Sequence, residues 1–221
     1  MATLGFVLRS PTPTPCTQCP GTQTYNVKFT TLWTEQAYPR EYPGDAHWSG
    51  LVGESHDSRY IMWNPSGKAA RGIEIMAETG KQSILLSEMA AQGNNVLATI
   101  ALSGIGSGTG NRSTNLRLDC DHSQVSLVSM IAPSPDWFVG IHSVDMCNTA
   151  TFEWRDGDTI DLFPYNAGTD DGLKFDSSND DTNPKGDITR LTGSMPNNAQ
   201  SSFYGYQQLQ RIAQMKLTKG A

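Results

Sequence analysis

The clearest pattern along the chain is an alternation of apolar and polar residues with a period of two. Near the start, Tyr25, Val27 and Phe29 alternate with polar neighbours. Because successive side chains of a strand point to opposite faces, this pattern predicts a strand with one buried face. Seven further segments have the length and composition of strands, which gives eight in all: YNVKFTTLW, GIEIMAE, NVLATIALSG, NLRLDC, QVSLVSMIA, DWFVGIHS, TIDLFPY and RIAQMKL.

Helices have a small part in this pattern. The segment GIEIMAE is assigned to a strand because Ile73, Ile75 and Ala77 alternate with polar residues or methionine. A single segment, GKQSILLSEMAAQGN, predicts a helix, with Ser83 as its N-cap and Gly93 as its stop signal. Turns rich in Gly, Pro, Asn and Asp separate the strands, and no internal repeat is found. We therefore expect an all-β protein, an antiparallel β-sandwich of about eight strands with one short helix and long end loops.

Composition and charge narrow the functional classes. The 221 residues are 37% hydrophobic, and no apolar run approaches the about 20 residues that a membrane helix needs. We expect an extended tail over residues 1–24, tied down by a disulfide, and a single domain over residues 25–221. The segment from Glu153 to Asp187 has ten acidic and three basic residues, so most of the net charge of −6 lies there. Such a segment repels phosphate backbones, so nucleic acid is not an expected partner.

The four cysteines indicate an oxidising compartment. The CTQC segment contains Cys16 and Cys19 among prolines, whereas a redox CxxC pair normally opens a helix. A zinc site would need a second paired half, but Cys120 and Cys147 are far apart in sequence. Two disulfides, with three possible pairings, are therefore expected, and with them a secreted, extracellular protein. The triplet NRS at Asn111 is a glycosylation sequon consistent with secretion.

No enzyme signature is present in the sequence. No serine lies in a Gly-x-Ser-x-Gly turn, which forms the nucleophile elbow of many hydrolases. The histidines do not show the i, i+4 spacing of zinc proteases; they are His47, His56, His122 and His142. We therefore expect a protein without catalytic activity.

Two turns carry the residues of a candidate metal site. Asp136 lies in PSPDWFVG, where a carboxylate in apolar surroundings needs a compensating group. Asn166, Asp170 and Asp171 cluster in the turn NAGTDDG. Calcium takes six to eight oxygen ligands, and one loop rarely supplies enough, so we expect Asp136 to add a carboxylate from across the sandwich. The alternative is that Asp136 caps a turn and that Asp170 and Asp171 are surface polar residues.

Three long motifs resemble one known family. The segments are YNVKFTTLWTEQAYPREYPGDAHWSGLVGESHDSRYIMW, SLVSMIAPSPDWFVGIHSVDMC and DLFPYNAGTDDGLKF. In this order they resemble the spondin domain, the N-terminal module of F-spondin and mindin. The resemblance implies a secreted β-sandwich whose end loops bind a divalent cation, taken as calcium. In F-spondin and mindin the domain is attached to thrombospondin-type repeats, whereas here the similarity covers nearly the whole chain.

The resemblance also implies roles for individual residues. The metal carboxylates of the family fall on Asp136 and Asp170, and the family aspartate between them is replaced by Asn166. An amide oxygen still ligates calcium but attracts it less strongly, and the neighbouring Asp171 restores the lost charge.

The resemblance further implies a disulfide between an N-terminal cysteine and Cys147. Cys19 is the favoured partner, which leaves Cys16 to pair with Cys120.

Two functions follow from the sequence and the resemblance. The first is a secreted, non-catalytic binding protein with a calcium-braced loop site that recognises a cell-surface receptor or a component of the extracellular matrix, as in cell adhesion. The second is a stand-alone carrier of an apolar small molecule, such as a carotenoid or a lipid. The five Trp, seven Tyr, seven Phe and eight Met residues invite this alternative, because such side chains line apolar pockets. The sequence leaves the oligomeric state open.

Overall fold

Two antiparallel sheets face each other in the computed structural model, which describes residues 19–220. The smaller sheet has four strands in the order β10–β13–β1–β5. The larger sheet has seven strands, with the path β12–β11–β7–β6–β3–β4 and with β2 paired to β6. A separate hairpin is formed by β8 and β9. The expected all-β sandwich is confirmed.

The strands differ widely in length, and eight of the thirteen have five or more residues. The strands of the smaller sheet are β1 (Thr22–Leu32), β5 (Thr109–Asp119), β10 (Gly157–Leu162) and β13 (Ala213–Lys219). Those of the larger sheet are β2 (His47–Trp48), β3 (Val52–His56), β4 (Val96–Ala101), β6 (Gln124–Ala132), β7 (Trp137–Asp145), β11 (Tyr165–Asn166) and β12 (Thr189–Arg190). The hairpin consists of β8 (Cys147–Asn148) and β9 (Glu153–Trp154).

The apolar side chains form two layers, one on each face of the larger sheet. Leu127 of β6 belongs to the layer between the two sheets, together with Tyr25 and Leu217 of the smaller sheet. Val128 belongs to a second layer, between the larger sheet and a pair of helices that includes Ile73. Because β6 is covered on both faces, its sequence QVSLVSMIA reads as a continuous apolar run and not as an alternation.

The prediction of a strand in GIEIMAE is wrong. Residues Arg71–Thr79 form helix α1, on which Ile73, Met76 and Ala77 are buried and Ile75 is half-buried. These buried positions follow the i, i+3, i+4 spacing of a helix face. Seven residues with an apolar residue at every second position are too few to separate the two periods, and packing against the sheet decides between them. Residues 19–220 therefore contain two α-helices, where one was expected.

The second helix, α2, spans Ser83–Ala90 and is followed by a short 3-10 helix at Gly93–Asn95. Ser83 is its first helical residue, and the N-cap is Gln82, which makes no side-chain capping bond. The expected role of Ser83 as N-cap is therefore wrong. The strand β3 was not expected, because Glu54, Ser55 and His56 are polar and show no apolar alternation. In the structure all three side chains are fully buried.

One disulfide joins the start of the described chain to the sandwich. Cys19 and Cys147 are bonded, which is the pairing that the resemblance implies, and the bond ties the segment before β1 to β8. Cys120 is also disulfide-bonded. Its expected partner Cys16 and most of the expected tail lie outside the described residues. Neither helix in residues 19–220 is long and apolar enough to cross a bilayer.

Candidate metal centre

The two turns that carry the predicted ligands lie side by side at the edge of the larger sheet. Asp136 directly precedes β7, and Asn166 ends β11, where it is paired with Trp137. The two strands are neighbours in one sheet, so the expectation that Asp136 reaches the site from across the sandwich is wrong. The turn after β11 is tight, because Gly168 has a φ of +75° and a Cβ there would lie 2.6 Å from the carbonyl carbon of Gly186.

Asp136 is the most buried of the predicted ligands, with no exposed surface. Its Oδ2 accepts hydrogen bonds from the backbone N–H of Thr169 at 2.8 Å and of Asp170 at 3.2 Å. Its Oδ1 has no hydrogen-bond partner among residues 19–220. A buried carboxylate oxygen without a partner is costly, so this atom marks a place where a further group belongs.

The electrostatic surroundings of Asp136 oppose its negative charge. Burial raises the pKa of Asp136 to about 7, the backbone N–H groups of Thr169 and Asp170 act against this shift, and the Asp170 carboxylate adds to it. Desolvation dominates because the carboxylate lies in a region of low dielectric constant. A cation beside Oδ1 would favour the ionised form and remove this penalty.

Asp170 and Asn166 already accept hydrogen bonds from backbone N–H groups. Asp170 is 3% exposed, and its two carboxylate oxygens accept from the N–H groups of Gly172 at 2.7 Å and Asp180 at 3.2 Å. The side-chain oxygen of Asn166 accepts from the N–H of Gly168 at 2.6 Å. These oxygens keep further lone pairs for a ligand.

Asp171 points to the neighbouring acidic segment. It is exposed, and its Oδ1 accepts from the hydroxyl of Thr182 at 2.7 Å. Asn166, Asp170 and Asp171 nevertheless line one cleft of about 300 Å³. Asp136 lies behind the backbone of Thr169 and is not among the residues that line this cleft.

Two acidic residues near this centre were missed by the sequence reasoning. Asp181 forms a β-bridge with Asp170, so the acidic segments around 170 and 180 pack together. Glu78 comes from helix α1: burial raises its pKa, a hydrogen bond with Thr169 opposes the shift, and nearby acids including Asp170 and Asp181 add to it. The assignment of α1 to a strand concealed Glu78, and only the helical period would have placed it at this end of the sheet.

The fit to a hard cation is therefore partial. Within residues 19–220, no group of three or more His, Cys, Asp and Glu side chains converges as a complete metal site would. The donor types do suit calcium, since the two neighbouring turns carry carboxylate and amide oxygens and Oδ1 of Asp136 is buried without a partner among residues 19–220.

Comparison with known proteins decides the family. The family model Spondin_N matches residues 23–214. The chain belongs to the Spondin_N family. Human Spondin-2 is 40% identical over 186 residues, which cover 81% of this chain and 56% of that protein. Rat Spondin-1 is 33% identical over 196 residues, which cover 86% of this chain and 24% of that protein.

The match covers only part of each relative. This spondin domain spans about half the length of Spondin-2 and about a quarter of Spondin-1. The resemblance read from the three motifs is confirmed, and with it the fold.

Two further expectations from the sequence concern this spondin domain: glycosylation at Asn111, and an apolar pocket lined by aromatic and methionine side chains. Asn111 is exposed on β5, an edge strand of the smaller sheet, so the sequon is accessible and its glycosylation stays a prediction. Met146 is buried in the core, Trp154 packs edge-on against Tyr25, and Tyr206 packs against the ring of Tyr38. These side chains contact the protein itself, so the carrier of an apolar molecule gains no support from them and also stays a prediction.

Proposed function

We propose that this spondin domain is a secreted, non-catalytic binding module that recognises a cell-surface or extracellular-matrix partner through loops braced by calcium. Its relatives are named Spondin-1 and Spondin-2, and the resemblance implies secretion and matrix association for the family. The Cys19–Cys147 disulfide suits an oxidising compartment.

The observation that carries the calcium proposal is the unpartnered, fully buried Oδ1 of Asp136 beside Asp170. Asp136 and Asp170 would hold the ion, with Asn166 as a weaker donor and Asp171 adding negative charge. Bound calcium would supply the positive charge that offsets these carboxylates. Because the two turns belong to neighbouring strands, ordering them would fix the loops at this end of the sheet.

Thermal unfolding tests the proposal. The protein is stripped with a chelator and then titrated with calcium. A ligand that binds only the folded state at 100 times its Kd stabilises that state by about 2.7 kcal/mol. For a domain of this size we expect a rise in Tm of about 5–10 °C.

Two variants make the test specific. Asp136→Asn removes the buried charge and should abolish the calcium-dependent rise in Tm. Asp156→Asn is the matched control, because the side chain of Asp156 is fully exposed beside Lys219 and does not line the cleft of the site. The proposal fails if calcium leaves the Tm of the parent protein unchanged, or if the two variants respond to calcium alike.

A further inference from the structure

An open seam runs between the two sheets on the side of β7 and β10. β7 pairs with β11 through Trp137 and Phe138, and in the described part of the chain the rest of β7 has no strand partner on that side. β10 is the edge strand of the smaller sheet. A cleft of about 240 Å³ lies along this seam, and a second cleft of about 350 Å³ continues beyond the end of β10.

Phe163 and Arg190 line both clefts and stand between them. The guanidinium carbon of Arg190 lies 4.0 Å from the centroid of the Phe163 ring. Stacking of this kind holds a guanidinium flat while its edge keeps its N–H donors. We call the two clefts together the Arg190 groove.

The charge of Arg190 is not neutralised within the described part of the chain. Its side chain forms no ion pair and no hydrogen bond there, and it stacks on the ring of Phe163. The acid that lines the same groove is already paired, because Asp161 contacts Arg211 at 3.1 Å and Gln214 at 2.9 Å. The groove therefore presents one exposed cation on a protein whose net charge is −6.

The walls of the groove are aromatic and hydrogen-bonding. Tyr165 and Tyr206 are half-buried by ring contacts with Trp63 and Tyr38, and their remaining surface lines the first and the second cleft respectively. The exposed His142 also lines the first cleft, and Gln207 and Thr192 line the second. Aromatic faces stack on the C–H faces of sugar rings, and amides and hydroxyls bind sugar hydroxyl groups. Grooves with aromatic walls and a few fixed polar groups are the usual form of a ligand site.

The backbone of β7 is distorted where it borders the groove. Ser126 of β6 stands opposite two residues of β7, His142 and Ser143, which is a β-bulge. Ser143 has a φ of +46°, a left-handed conformation that is uncommon for residues other than glycine. Its N–H is held by the hydroxyl of Ser126 at 2.8 Å. The bulge lies at the exposed His142, which lines the cleft.

We infer that the Arg190 groove binds an acidic saccharide, with Arg190 holding a carboxylate or sulfate group of the sugar and the aromatic walls holding the neighbouring rings. Arginine suits planar, bidentate recognition of such anions. An extended oligosaccharide matches a groove that continues on both sides of the arginine. This inference rests on the proposed binding function and names the chemistry of the partner, while the groove residues are separate from the calcium ligands.

Calorimetric titration with hexasaccharides tests the inference. Hyaluronan hexasaccharide carries only carboxylates, heparin hexasaccharide carries sulfates as well, and chitohexaose is an uncharged control of equal length. We expect binding of at least one acidic hexasaccharide and none of chitohexaose. The stronger of the two acidic probes identifies the anion. Equal binding of chitohexaose, or no saccharide binding at millimolar concentration, overturns the inference.

Variants tie the binding to Arg190. Arg190→Gln should lower the affinity for the acidic hexasaccharide at least about tenfold, because a charge-assisted hydrogen bond is lost. Arg190→Lys, which keeps the charge but not the planar fork, should retain part of the affinity. Arg117→Gln is the matched control, since Arg117 is exposed on β5 outside the groove. Equal losses in the Arg190→Gln and Arg117→Gln variants would show non-specific charge attraction and overturn the inference.

Two further measurements test the class of ligand and distinguish the groove inference from the calcium proposal. Hexaglutamate that displaces the saccharide with equal affinity would identify an acidic peptide as the ligand and overturn the saccharide assignment. All titrations are repeated with chelator and with calcium. If calcium does not raise the Tm of the parent protein, the calcium proposal alone is contradicted. If the Arg190→Gln variant binds the saccharide as the parent protein does, the inference about the Arg190 groove alone is contradicted. If Arg190→Gln lowers the Tm, Phe163→Leu provides a second test, because it removes the stack and keeps the charge.

Discussion

Glu54 is a buried carboxyl group whose replacement should stabilise the protein at neutral and alkaline pH. It lies in the middle of β3, between Ser126 of β6 and Thr99 of β4, and it has no exposed surface. Neither of its carboxylate oxygens has a hydrogen-bond partner within the described part of the chain. Tyr60, which is electrostatically coupled to Glu54, provides no positive charge.

The magnitude follows from the pKa of this group. Burial raises the pKa of Glu54 from 4.5 to about 8. Since the folded-state pKa lies above the unfolded one, the stability tied to protonation is fully present below about pH 4.5 and is lost as the pH rises through about 8. At 1.36 kcal/mol for each pKa unit, the ionisable group costs about 3 kcal/mol by pH 7 and about 5 kcal/mol above pH 8.

Glu54→Gln keeps the shape of the side chain and removes its titration. We expect the free energy of unfolding of the variant to exceed that of the parent protein by about 1 kcal/mol or less at pH 5 and by about 3 kcal/mol at pH 7. Urea unfolding at pH 5, 7 and 8.5 measures both proteins. Glu153→Gln on the exposed hairpin strand β9 is the control and should show no pH-dependent difference.

His56 and Glu88 also lie near this region: His56 is buried two residues away on the same strand, and Glu88 is coupled to Tyr60 as Glu54 is. Both side chains are present in the parent and in the variant, so their effects cancel when the two proteins are compared at each pH. A difference between Glu54→Gln and the parent that stays constant from pH 5 to 8.5 would refute the reasoning. So would a variant that is less stable than the parent at pH 8.5.

Two further predictions concern helix α1 and the disulfide. Ile73→Ala should cost about 2–5 kcal/mol in urea unfolding, because Ile73 is fully buried on α1, whereas Ile75→Ala should cost about 1 kcal/mol or less; equal losses would mean that both side chains share one buried strand face. Replacing Cys19 and Cys147 together by serine should lower the free energy of unfolding by about 2–5 kcal/mol, since the bond closes a sequence separation of 128 residues; an unchanged urea midpoint under oxidising conditions would contradict this.

The strand pattern was readable from the sequence because side-chain alternation is a local property. Seven of the eight predicted strand segments form strands, and the segments from Tyr25 and from Leu217 pair in the smaller sheet. The sequence also led to the spondin family and to the two turns of the candidate metal centre. The strands and the two turns are short local signals in which backbone geometry and side-chain chemistry are coupled directly, and the family resemblance rests on three longer motifs in a fixed order.

The features that the sequence missed depend on which segments pack together. Ile73 lies on a helix that packs against the outer face of the larger sheet and buries apolar side chains there. The same helix brings Glu78 close to the candidate metal centre at Asp136. Glu54 lies in a polar stretch that the sequence did not assign to a strand, and it is buried because β3 becomes an inner strand of the larger sheet with helices over one face. The residues next to Arg190 in the sequence do not indicate a binding site. Its proposed role depends on the stacked ring of Phe163 and on the position of Arg190 at the edge of the larger sheet. Contacts between distant segments are set by the pairing of strands and layers, so the tertiary structure alone decides them.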